Sequence, residues 1–244
     1  MSDPQGLAFD PVAEDYDRGR PGWPRELLHG INAESVLDLA AGTGKLTSLL
    51  VQRYPYVVAV EPLAGMRSVL KRNVPQAEVL AGSAERIPLD DASVDAVFVA
   101  EAFHWFEDEA AAREIARVLR RNGTLVVCFN EWRDRWEPPI GAEVRAVLEE
   151  AAEGLPPPGA AKVESGDWKR GLERGPFTPL AERTIDHVQH GDRDTVVSYY
   201  LSVSSFAQLS PQTRELLRAA LREQLAVAAY RVDLRARVFT TVRL

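Results

Sequence analysis

The run VLDLAAGTGKLT at residues 36–47 constrains this chain more than any other segment. An apolar stretch of strand length ends in small residues and two glycines, Gly42 and Gly44, and a helical pattern starts directly after them. Glycines at such a junction let the backbone turn tightly and let a ligand approach it, with helix N–H groups facing that ligand. A second apolar run, VVAV at residues 57–60, ends in Glu61, 19 residues after Gly42. A carboxylate at the tip of the second strand of a βαβ unit accepts hydrogen bonds from a ribose diol. The two features together point to an adenosine-containing cofactor. The dinucleotide fingerprint wants a third Gly or Ala where Thr47 stands, so a cofactor without a diphosphate fits better. A P-loop fails as well, because Lys45 is followed by Leu46 and the spacing is too short.

The first half of the chain alternates short apolar runs with helical patterns, the sign of βαβ units and a parallel sheet. Residues 35–40, 57–60, 94–100 and 124–129 read as buried strands. Leu46, Leu49 and Leu50 make one helical stripe, and Ile115, Val118 and Leu119 another. The second helix carries Glu107, Asp108 and Glu109 early and Arg117, Arg120 and Arg121 late, and Asn122-Gly123 is its expected stop. Upstream, a helix is expected from Trp23-Pro24 to His29, ended by Gly30. Residues 130–180 are rich in Pro and Gly and read as irregular, with one helix over residues 141–152. Ser210-Pro211 opens a further helix with Leu216, Leu217, Ala220 and Leu221 as its stripe, and residues 232–242 alternate as a half-buried strand.

Composition narrows the class. At 244 residues the chain can bury a full core without staples, and its single Cys128 rules out an internal disulfide framework. The net charge of −7 disfavours a protein that neutralises long stretches of phosphate backbone. Of its basic residues 25 are Arg and four are Lys, which we read as genomic bias and not as a site. Residues 1–4 lack a basic n-region, and no apolar run approaches the ~18–20 residues of a membrane span, so a cytoplasmic protein without membrane contact is expected.

The segments VLDLAAGTGKLT, VVAVEPLAGM at 57–66, AGSAERIPLDDASVDAVFVAEAFHWF at 81–106 and ARVLRRNGTLVV at 116–127 together resemble the class I S-adenosylmethionine-dependent methyltransferases, in their small-molecule form called type 11. The resemblance covers residues 9–130, about half the chain. It implies an α/β fold: a Rossmann-like, mostly parallel seven-stranded sheet of order 3-2-1-4-5-7-6 flanked by helices, with a partly helical cap. Residues 1–34 would then form a lid and helix, 35–130 the S-adenosylmethionine-binding core, 131–180 a cap insertion, and 181–244 the helices and strands completing the sheet. Carried over residue by residue, the loop from Ala40 through Gly42 to Gly44 would hold the methionine part of the donor, braced by Asp38. Glu61 would bind the ribose, Pro62 to Met66 would cover the adenine, and Ser83 and Ala84 would meet its edge. Glu101 and Ala102 would lie under the sulfonium.

The implied reaction is in-line displacement at the sulfonium methyl by an oxygen, nitrogen or carbon of a small acceptor, leaving S-adenosylhomocysteine, with no metal needed. His104 is the candidate general base, since an imidazole titrates near neutral pH; its alternative role is to shape its loop. Phe103, Trp105 and Phe106 are expected as pocket walls. Tyr16 and Arg20, in a stretch resembling the family's lid, would face the acceptor. Trp132, Trp136 and Tyr199-Tyr200 are further candidate walls, though aromatics are more often packing. His187 and His190 hint only weakly at a metal. A nicotinamide oxidoreductase with a degenerate glycine motif and a non-catalytic donor-binding protein remain the alternatives. The residues EAFHWF after the fourth strand lack the Pro-Pro-aromatic signature of nucleic-acid methyltransferases. A monomer or a homodimer is compatible with the sequence.

Overall fold

The computed structural model describes residues 8–132, 142–153, 160–225 and 229–244. The candidate wall Trp136, the prolines at 138–139 and 156–158, Gly141 and the first four residues lie outside them. From the amino end, α1 (Ala13–Gly19) precedes β1 (Ser35–Leu39), α2 (Thr47–Leu50), β2 (Tyr56–Val60), α3 (Ala64–Asn73), β3 (Glu78–Leu80) and β4 (Val94–Ala100). Then come α4 (Asp108–Val118), β5 (Leu119–Trp132), α5 (Ala142–Ala152), α6 (Ala160–Ser165), α7 (Arg170–Arg174) and β6 (Ala181–Gly191). The last three elements are α8 (Arg193–Leu201), α9 (Pro211–Gln224) and β7 (Tyr230–Val242).

The strands form one seven-stranded sheet of order β3-β2-β1-β4-β5-β7-β6, as the resemblance implied. β1 to β5 run parallel, and β7 is antiparallel to both β5 and β6. Both faces of the central strands are apolar, as parallel strands covered by helices require. Leu37, Leu39, Val97, Val99, Leu125 and Val127 point to one side, where Ala111, Ala112, Ile115 and Val118 of α4 meet them. Val36, Phe98, Val126 and Cys128 point to the other, against Leu46, Leu49, Leu50 and the 3-10 turn Arg25–Leu28. That turn stands where a longer helix to His29 was expected.

Several boundaries differ from the sequence reading. α4 ends at Val118, not at Asn122-Gly123. Leu119 is fully buried and pairs with Val94, which draws the chain into the sheet five residues before the expected strand start at residue 124. The ladder then slips, and Asn122 takes a left-handed φ of 64° inside the irregular stretch. Arg120 therefore bonds Asp95 instead of facing a helix end. β3 is too short and too exposed to show a pattern, and the sequence did not reveal it. Leu216 is 73% exposed on the outer side of α9, so the buried stripe there is Leu217 and Leu221 alone. The helix start was legible: the Thr213 N–H donates to Ser210 Oγ at 3.1 Å, with Pro211 in the first turn.

Residues 130–180, read as irregular, contain three helices among the described residues. α7 packs on α4, while α5 and α8 both pack against α9. Trp168, between α6 and α7, is buried with its ring centroid 5.6 Å from Phe103, 5.2 Å from Phe129 and 5.0 Å from Phe239. Phe103, fully buried against Trp168, thus belongs to the core beneath the sheet and is not a pocket wall, which corrects the sequence reading. α1 packs on α8, and Leu148, Val197, Leu201, Leu217 and Leu221 form a separate apolar cluster joining α5, α8 and α9. Among the described residues, no helix is long and apolar enough to cross a membrane.

Candidate functional site

The site lies at the carboxyl ends of β1, β2 and β4, where open α/β sheets bind ligands. β1 runs into Ala40, whose φ of 58° is left-handed for a residue with a Cβ, and then into Gly42 at 57° and Gly44 at 91°. At Gly44 the left-handed φ favours glycine, and a Cβ there would also press on Leu70 Cδ1 of α3, at 2.4 Å. At Gly42 a Cβ would meet nothing nearer than Tyr16 Cε1, at 3.9 Å. A side chain at Gly42 would thus have room on the side where the tyrosine of α1 lies.

Three carboxylates stand at the carboxyl ends of these strands, and one of them bonds the loop itself. Glu61, 3% exposed at the tip of β2, accepts the Gly42 N–H on Oε2 at 2.9 Å and the Leu63 N–H on Oε1 at 2.9 Å. Asp38 in β1 accepts the Thr47 hydroxyl on Oδ2 at 2.6 Å, and its buried Oδ1 has no hydrogen-bond partner. Thr47, which breaks the dinucleotide fingerprint, therefore serves to anchor Asp38. Glu101 follows β4 with a left-handed φ of 56°, and its Oε1 accepts the Asn130 N–H at 2.6 Å. Burial strips water from the charged form of all three and lifts each to about 7. Hydrogen bonds to Thr47, Leu63, Gly42 and Asn130 pull the other way, as do the charges of Arg67 near Glu61 and Arg20 near Glu101. Neighbouring Asp10 and Glu131 add to the rise.

These carboxylates bear on stability. The folded chain keeps protons on them that the unfolded chain releases near pH 4, so the folded state binds more protons between about pH 4 and 7. Their contribution to stability is accordingly lost as pH rises through that window. His187, whose pKa burial lowers, works in the opposite direction, one group against three. A lower melting temperature is expected at about pH 7.5 than at about pH 5.5, and the difference should shrink in Asp38→Asn. A wild-type melting temperature that is flat or rising over that interval would contradict protonated carboxylates in the fold.

The remaining expected residues fall as follows. Tyr16 packs edge-on to Phe9, with centroids 5.7 Å apart, and burial pushes its hydroxyl up to about 12. Arg20 lies over the Tyr16 and Tyr199 rings, 5.3 Å from each centroid, and donates to Ser202 Oγ at 3.1 Å and Ser202 O at 2.8 Å. Much of its donor capacity is thereby spent inside the protein. Met66 is buried with Ala13, Leu63 and Val69 beneath Phe9 and Tyr16. Pro62 is half-buried, and its carbonyl accepts from Arg67. Ser83 closes a small turn with Arg86 by two backbone hydrogen bonds, while Ala84 and Ala102 are buried in the core. His104 stands in the 3-10 turn Phe103–Trp105, with ring centroids 4.5 Å from Trp105 and 5.9 Å from Phe129. Trp105 itself is 7% exposed and meets Phe9 edge-on.

His187 and His190 are three apart in β6, which sends them to opposite faces. His187 Nε2 instead lies 2.7 Å from Asn130 Oδ1. Among the described residues, no three His, Cys, Asp or Glu side chains are placed to hold a metal ion. The sequence reading missed Asn130, which holds Glu101 from the next strand, and Arg67, whose Nη1 fastens the Glu61 and Pro62 carbonyls. Neither sits in a motif, so only the fold reveals them.

A mostly parallel sheet of this order, with a glycine loop after β1 and an acid at the tip of β2, is a Rossmann-like fold. Residues 37–127 match the methyltransferase domain family. An uncharacterized methyltransferase of Mycobacterium tuberculosis, Rv3342, is 48% identical over 132 residues, which is 53% of this chain and 54% of that protein. The chain thus spans about half the length of this relative. Demethylmenaquinone methyltransferase of Streptomyces avermitilis is 31% identical over 169 residues, covering 64% of this chain and 71% of its own length. Among solved structures, a chain from Anaeromyxobacter dehalogenans, described provisionally as a type II methyltransferase, shares the fold with a TM-score of 0.58. That match has 22% identity and covers 92% of this chain and 97% of the other. The chain belongs to the class I S-adenosylmethionine-dependent methyltransferases.

Proposed function

We propose that the chain transfers the methyl group of S-adenosylmethionine to an oxygen, nitrogen or carbon atom of a small molecule. The observation that carries this reading is the glycine loop with two buried carboxylates upon it, Glu61 on the Gly42 N–H and Asp38 beneath, and the half-buried Glu101 at the tip of β4. Such a set accepts hydrogen bonds from ribose hydroxyls and from an ammonium. The partnerless Asp38 Oδ1 is an acceptor of the kind that an amine or an ordered water would satisfy. When bound, S-adenosylmethionine supplies an electrophilic methyl on sulfur, with S-adenosylhomocysteine as the product.

The residues divide the work. Glu61 accepts from the ribose hydroxyls, Asp38 braces the loop from Ala40 to Gly44, and Pro62, Met66, Ser83 and Ala84 enclose the adenine. Glu101 and Ala102 border the methyl, and His104, just past them, takes the acceptor's proton. Tyr16, Arg20 and Trp105 close the acceptor side and exclude water. Holding two reactants in attack geometry supplies about 7–11 kcal/mol of the barrier without covalent catalysis. The acceptor of the Streptomyces relative, demethylmenaquinone by its name, is a small molecule, in keeping with this reading.

Titration calorimetry with S-adenosylhomocysteine and with NADH tests the cofactor. Binding of the first and not the second is expected. The reverse result would move the chain to the nicotinamide oxidoreductases.

A further inference from the structure

Asp15 and Arg218 join the two ends of the chain beside the site. Arg218 of α9 donates Nη1 to Asp15 Oδ1 at 2.9 Å and Nη2 to Oδ2 at 2.7 Å, a two-bond fork between residues 203 positions apart. Ser198 of α8 donates its hydroxyl to the same Oδ1 at 3.1 Å. The Asp15 and Arg218 side chains are only 15% and 23% exposed. Arg18, by contrast, reaches Asp192 and Asp194 from a side chain that is 48% exposed. Exposed pairs of that kind contribute little, whereas a planar fork shielded from water fixes geometry.

α1 also meets α8 directly. A Cβ on Gly19 would fall 2.2 Å from the Tyr199 backbone nitrogen, so α1 and α8 touch through their main chains. Arg20 then closes the far end of the helix onto Ser202. Tyr16, next to Asp15 in the sequence, is the residue whose ring edge covers Gly42. Any rotation of α1 that releases Asp15 therefore carries Tyr16 off the glycine loop.

We propose that Asp15 and Arg218 are a positioning pair that sets Tyr16 over the glycine loop and thereby sets the affinity for the methyl donor. The proposal rests on the cofactor reading above. Neither residue touches the donor; both act through Tyr16. Coupling of this kind is reciprocal, so donor bound at the loop in turn steadies α9, on the far side of α1.

The test compares S-adenosylhomocysteine affinity, by titration calorimetry, in wild type, Asp15→Asn, Arg218→Met and the exchanged pair Asp15→Arg/Arg218→Asp. Each single variant should bind about tenfold more weakly or worse, and the exchanged pair should recover to within about threefold of wild type. Arg18→Ala, cutting only exposed pairs, should bind like wild type. Hydrogen exchange on the wild type supplies a reading that needs no variant to fold: S-adenosylhomocysteine should slow exchange in residues 211–224 as well as at the loop. Single variants within about twofold of wild type, an exchanged pair no better than the singles, or protection that stops short of α9 would each overturn the proposal. A wild-type chain that does not bind S-adenosylhomocysteine removes the cofactor reading, and the positioning pair with it; a wild type that binds with variants that bind equally removes the pair alone.

Discussion

Glu61→Gln is expected to weaken S-adenosylhomocysteine binding by about 10- to 150-fold. The carboxylate accepts two backbone N–H bonds, one on each oxygen, and each oxygen keeps a lone pair for a ribose hydroxyl. An amide in its place turns one oxygen into an NH2 that faces either the Gly42 or the Leu63 N–H, donor against donor. A hydrogen bond to a charged group is worth about 1.5–3 kcal/mol, which gives the stated range. The fold should suffer less than the site. Glutamine relieves the buried charge that lifts Glu61 to about 7, and this offsets the lost acceptor. Calorimetric binding and thermal melting at about pH 7.5 read the two effects separately. Unchanged affinity would take Glu61 out of the ribose site.

Trp168→Ala should lower the melting temperature more than any surface change in the chain. The indole is 3% exposed and is surrounded by Phe103, Phe129 and Phe239, with Lys169 Nζ lying over the Phe239 ring at 4.7 Å. Truncating an aromatic side chain in a packed core costs about 3–5 kcal/mol. At roughly 2–4 °C per kcal/mol for a chain of this size, the melting temperature should fall by roughly 6–20 °C. Leu216→Ala is the natural control, since Leu216 faces solvent and should change little. A Trp168→Ala melt that matches the control would show that the segment carrying Trp168 is not seated on the sheet. Because Phe103 stands beside His104, the same variant should also loosen the turn that presents the histidine.

What could be read in the sequence was what is local. β1, the glycine loop and Glu61 lie within 27 residues of one another, and their pattern is a direct record of strand, turn and acid. The Ser210 cap and the alternation of β7 were legible for the same reason. α4 ended early because Leu119 found a partner in Val94, a tertiary choice that outweighed the local Asn-Gly signal. Phe103 looked like a pocket wall because its neighbours are aromatic, and only Trp168, 65 residues on, turns it into core. The same limit hid Arg218: nothing near it in sequence distinguishes it from Arg214 or Arg222. Asn130 offers Glu101 only its main-chain N–H, a function that any residue with an N–H could supply and that no side-chain motif records.

The place of β7 between β5 and β6 has a consequence for how the chain is made. Strands β1 to β5 each find a ladder partner among themselves, so the glycine loop and its acids can assemble while the ribosome is still at work. β6 cannot join them. Its ladder is formed with β7 alone among the described residues, and it must leave the ribosome as a bare strand until residues 230–242 follow. Its alternating charged and polar residues, Glu182, Arg183, Asp186 and Gln189 among them, keep that waiting strand from pairing with a foreign edge. The two halves of the fold are therefore finished at different times. The cofactor loop comes first, and the strand that locks the sheet comes last, so a ribosome stalled before residue 230 would release a chain with a formed loop and an open flank.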